Sequence, residues 1–113
     1  MGTATFKLGV LERMVLNKVL TAVQGDITRL RQMREFRETL SFTDAELKQF
    51  GITSQGDEVA WENGQEVDFE ITDEFQKIIK HQLKRLNDGA MLAQEHITIY
   101  EMFVEGKDAD KNQ

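Results

Sequence analysis

Leu8, Leu11, Val15, Leu16, Val19 and Val23 recur at helical spacing and predict a first helix over about Leu8–Val23. Gly25 ends it, and Asp26 stands where it can cap a second helix, about Ile27–Leu40. One side of that helix carries Ile27, Leu30, Met33, Phe36 and Leu40. Thr43 and Glu46 have capping-box spacing and open a short third helix, which Gly51 closes. Met1–Thr5 precedes the first apolar stripe and reads as a loose start.

After Gly51 the period changes from helical to alternating. Val59 and Trp61, then Val67, Phe69 and Ile71, interleave with acidic residues, the pattern of a half-buried hairpin. Asn63-Gly64 invites a two-residue turn, which would put Trp61 on the same face as Glu66. A three-residue loop, Glu62-Asn63-Gly64, instead pairs Trp61 with Gln65 and Val59 with Val67. All the large apolar residues then share one buried face, with Trp61 the largest, so burial favours this register. Thr72 caps a fourth helix, about Asp73–Asn87, whose core stripe is Phe75, Ile78, Ile79, Leu83 and Leu86. A fifth helix is expected over about Gln94–Val104, followed by a disordered polar tail, 105–113. The expected fold is α+β and mainly α: about five helices with one antiparallel β-hairpin inserted between helices 3 and 4. It forms a single domain, 1–113, with an ordered core of about 6–104, about half to two-thirds helical and roughly a tenth to a fifth strand.

At 113 residues with 40% hydrophobic content, the chain can bury one core without crosslinks. It has no cysteine, which excludes disulfides and thiolate metal sites and suits a reducing compartment, so a cytoplasmic location is expected. No apolar run is long enough to cross a membrane, and the N-terminus lacks a signal peptide's layout. The net charge of −6 argues against generic nucleic-acid binding. That charge is unevenly spread. Residues 1–42 carry seven basic and four acidic side chains, residues 43–74 one and ten, and residues 75–113 six and six.

The pattern offers little for catalysis. The only serines are Ser41 and Ser54 and the only histidines His81 and His96, with no triad spacing. His81 falls off the apolar stripe of its helix, whereas His96 falls inside one and reads as a satisfied core histidine. No phosphate-binding glycine loop, paired-histidine zinc motif or dinucleotide fingerprint occurs, so neither an enzyme nor a cofactor is expected. Asp108, Asp110 and Asn112 begin like a calcium loop, but the glycine and closing glutamate are missing. Arg29, Arg31, Arg34 and Arg37 make the second helix basic. Arg31 can pair with Glu35 and Arg34 with Glu38, which reads as a solvated face. Glu12 lies within the first helix's apolar stripe, where a carboxylate needs a partner; an arginine of the second helix is the expected one.

Leu40 to Ser54 resembles the scaffold helix and turn of a helix-turn-helix, and helices before a hairpin resemble a winged helix. Past Gly51, however, a strand replaces the recognition helix. Over about residues 6–104 the chain is similar to a family of small uncharacterised proteins of bacteriophage and metagenomic sequences. The resemblance is carried by Gly25-Asp26, the Arg-Glu-Thr-Leu-Ser-Phe-Thr stretch from 37 to 43, Trp61, and His96 to Phe103. Ala93 departs from it, standing where a capping threonine is expected. The resemblance implies a phage-related context and no assigned activity, site or ligand.

Two surfaces remain. Glu58, Glu66, Asp68 and Glu70 alternate outward along the expected hairpin, about 7 Å apart on one strand, as a ladder that could dock a basic partner. Val10 and Met14 lie one turn apart, nearly opposite the first helix's core stripe, and suggest a homodimer interface. The competing possibility is that this helix is central and covered on both sides. The functional expectation is a non-enzymatic protein-interaction or accessory protein with an unidentified protein partner. The alternative is a winged-helix-like DNA-binding regulator.

Overall fold

The computed structural model describes residues 2–56 and 58–106. Their order is β1 (Thr3–Leu8), α1 (Val10–Thr21), α2 (Ile27–Leu40), α3 (Asp44–Phe50), β2 (Thr53–Gln55), β3 (Glu58–Ala60), β4 (Val67–Thr72), α4 (Asp73–Asp88), a 3₁₀ turn (Gln94–His96) and α5 (Ile97–Phe103). Among the described residues 57% are helical and 17% are in strands, the α+β, mainly α composition that periodicity implies. Five α-helices are present, with an antiparallel hairpin between α3 and α4. The capping residues work as their spacing suggests. Asp26 accepts from the Arg29 amide, Thr43 from Glu46 and Thr72 from Phe75. Gly51 closes α3 at φ +64°, a conformation open to glycine. The expected tail begins at 105; residues 107–113 lie outside the described residues.

The strand pairing differs from the local reading. Thr3–Thr5 of the expected loose start belong to a strand that runs on to Leu8, and α1 begins at Val10. β4 pairs not with β3 but with β1, antiparallel, Phe6 opposite Phe69 and Leu8 opposite Val67. The hairpin between α3 and α4 is β2–β3, with Ser54 opposite Val59. Gly56, just after β2, stands at φ +61°. The reason is side-chain matching. With β1, every apolar residue of β4 meets an apolar partner (Ala4, Phe6, Leu8), while Thr5 faces Glu70 and Lys7 faces Asp68. Pairing with β3 in the expected register would have matched only Val59 with Val67 and left Trp61 opposite Gln65. Trp61 is accordingly 37% exposed, not a core residue.

Helix α1 runs through the middle of the molecule, with β1, α2, α4 and α5 packed around it. Phe6, Leu8, Val15, Leu16, Val19, Leu40, Ile71, Ile79, Leu83 and Ile99 form the centre of the core, and Phe6 stacks on Phe103 with ring centroids 4.6 Å apart. Val10, expected on an outer face, is 3% exposed, and Met14 is half-buried. A Cβ on Gly64 would lie 3.3 Å from Val10 Cγ2, so the turn after Trp61 covers that valine. The central, doubly covered helix is the arrangement found, and Val10 is not available to a dimer interface. Among the described residues no helix is long and apolar enough to cross a membrane.

Candidate interaction surface

The most buried polar side chain among the described residues is one the sequence pattern hid. Arg13, one residue from Glu12, is 2% exposed. Its guanidinium donates twice to Glu46, from Nη1 and Nη2 at 3.0 Å each, and to two carbonyl oxygens, Leu40 at 3.1 Å and Ser41 at 2.9 Å. It also lies over the Phe42 ring at 4.1 Å and the Phe69 ring at 5.0 Å. The Arg13 hydrogen bonds hold the Glu46 carboxyl below its ordinary value, against the opposing effect of burial. This cluster ties α1, the end of α2, α3 and β4 together. Glu12 does not pair with an arginine: its carboxylate accepts from the Gly9 amide at 3.0 Å, closing the first turn of α1.

The acidic residues expected on one ladder are divided between two places. Glu58 lies on β3 in the small β2–β3 sheet, whereas Asp68 and Glu70 lie on β4, with Glu66 just before it. All four are exposed, and Asp68 pairs with Lys7 across the strands at 3.0 Å. Asp68 and Glu70 line a groove of about 430 Å³ between β4 and α2, together with Glu35, Phe36, Phe69 and Phe75. Phe36 and Phe75 pack on each other with centroids 5.0 Å apart. Asp68, Phe69 and Glu70 are consecutive, and alternation sends neighbours to opposite faces. A groove lined by all three therefore runs along the edge of β4. Among the described residues that edge carries no strand, because β4 pairs with β1 alone. Three carboxylates, an aromatic wall and an open strand edge thus share one groove; the alternation of Asp68 and Glu70 was readable in the sequence, but Glu35 and the groove were not.

The remaining candidates have structural surroundings. His96 accepts the Ala93 amide on Nδ1 at 2.9 Å, the reciprocal half of a capping box whose other half the Ala93 side chain cannot make, and is half-buried. His81 is exposed. On α2, Arg29 pairs with Glu74 of α4 at 3.1 Å, and Arg37 donates to Asn17 of α1 at 2.9 Å. Among the described residues no cluster of histidine, aspartate and glutamate has the arrangement of a metal site. α3 is followed by β2, so no second helix stands where a helix-turn-helix protein would read a groove. Leu47, Val59 and Trp61 are exposed on α3 and along β3, an apolar surface in the most acidic part of the chain. No family model, curated protein or solved structure matches the chain.

Proposed function

We propose that this protein works by binding, without catalysis, and that its partner is a protein offering an extended basic segment to the groove along β4. The observation that carries this reading is the coincidence of Glu35, Asp68 and Glu70 with an aromatic wall at an unpaired strand edge. An added strand would gain main-chain hydrogen bonds from the edge, while alternate side chains would reach the carboxylates and the phenylalanines. Carboxylates at the rim speed encounter with a positive partner and choose its sign, and salt screens them.

A fluorescent peptide alternating lysine with phenylalanine tests the reading by anisotropy. Saturable binding that weakens with salt is expected, lost in the triple variant Glu66→Lys, Asp68→Lys, Glu70→Lys and weakened by Glu35→Lys, with the far-ultraviolet spectrum retained. Glu58→Lys, on the other sheet, should leave binding unchanged. Equal binding by the triple variant would remove the groove from consideration.

A further inference from the structure

A second cavity borders α4, and its lining charge is the reverse of the acidic groove's. A cavity of about 270 Å³ opens between the α1–α2 connection and α4, lined by Val23, Gln24, Arg29, Lys77, Ile78, His81, Gln82 and Arg85. Lys77, His81 and Arg85 follow one another at single helical turns, about 6 Å apart along the axis. Arg29 reaches in from the first turn of α2, its Nη1 held by Glu74 at 3.1 Å, which fixes the guanidinium and leaves other donors free. A Cβ on Gly25 would come within 2.9 Å of both Arg29 Cβ and Cγ, so the glycine is what lets this arginine lie close to the chain. Among the described residues neither Lys77 nor Arg85 has a carboxylate partner. No carboxylate lines the cavity itself.

The decisive residue is Gln82. It is only 7% exposed, yet among the described residues its side-chain amide makes no hydrogen bond. Burying an amide without a partner is costly, and the usual hydrophobic choice at a helix–core boundary would be leucine. Among the described residues no polar side-chain atom is sealed from solvent without a partner, so the Gln82 amide stays open to solvent, and Gln82 lines this cavity. Three cations, an imidazole and two amides around an apolar floor of Val23 and Ile78 match the donor set that holds a phosphate group. We propose that this cavity binds a small phosphorylated molecule, with Arg29, Lys77 and Arg85 neutralising the phosphate and Gln82 donating to it. The site is independent of the groove on β4.

Calorimetric titration of the full chain at low salt with inorganic phosphate, pyrophosphate and adenosine monophosphate tests this, with citrate and a short DNA duplex as competitors. The expected result is saturable binding of pyrophosphate, tighter than of inorganic phosphate. The double variant Lys77→Gln, Arg85→Gln should weaken it by about tenfold or more without altering the melting temperature. Gln82→Leu should weaken it severalfold while keeping or raising thermal stability, which a glutamine with a purely structural role would not do. If adenosine monophosphate binds more tightly than inorganic phosphate, the apolar floor is taking the rest of the ligand. Four outcomes would overturn the proposal: no saturable binding at millimolar phosphate or pyrophosphate, binding undiminished in the double variant, citrate competing as well as pyrophosphate, or duplex DNA bound more tightly through the same residues.

Discussion

A buried arginine is expensive unless its nitrogens are partnered, and all three of Arg13's are, with four of the five N–H groups donating to Glu46 and the carbonyls of Leu40 and Ser41. Arg13→Leu would leave a carboxylate and two carbonyls facing an apolar side chain. The expected loss is about 3–5 kcal/mol, read from urea unfolding midpoints. The Glu46 carboxyl titrates below its ordinary value of 4.5 in the fold. The unfolded chain therefore takes up its proton first as pH falls. The stability this group contributes is full well above 4.5 and is lost as pH drops through the lowered folded value. Unfolding at a series of pH values should show that decline, and Glu46→Gln should flatten it while lowering stability at neutral pH.

Among the elements, the two sheets rank differently. β1–β4 carries the core, with Phe6 stacked on Phe103 and facing Phe69. Phe6→Ala should cost about 3–5 kcal/mol. Trp61, half open at the end of β3, should cost only about 1–2 kcal/mol when replaced by alanine, and thermal melts of the two variants check the order. Gly51→Ala adds a Cβ at φ +64° that would meet Glu62 Cβ at 3.1 Å. A loss of at least about 1–2 kcal/mol is expected from the backbone conformation alone. A smaller loss would show that α3 relaxes its last turn.

For the whole molecule, the position of α1 decides what its apolar residues mean. A helix with neighbours on several sides has no free apolar face, and Val10 lies beneath the Gly64 turn. Val10→Glu should therefore unfold the domain, or cost more than about 3 kcal/mol, rather than separate a dimer. Light scattering together with chemical denaturation distinguishes the two effects. Charge is partitioned at the same scale. The acidic groove on β4 and the basic cavity on α4 sit on one small chain of net charge −6, whose middle third holds ten acidic side chains and one basic. Their salt dependences should be separable, since each set of charge reversals acts on its own ligand.

Helices, caps and the mainly helical class were legible along the chain because they depend on neighbours within a turn or two: apolar spacing marks α1, α2 and α4, and Asp26, Thr43, Gly51 and Thr72 mark their ends. The β2–β3 hairpin was legible as a place but not as a pairing. Strand partners are chosen by which faces match across the whole chain, and loop-closure cost grows too slowly with length to forbid β1 from reaching β4. The same long-range choice put Arg13 inside and Trp61 outside. Glu35 could join Asp68 and Glu70, and Gln82 could meet Arg29, only once α2 and α4 had packed on α1 and the sheet. Those meetings belong to tertiary structure because no helical or strand period connects residues on different elements.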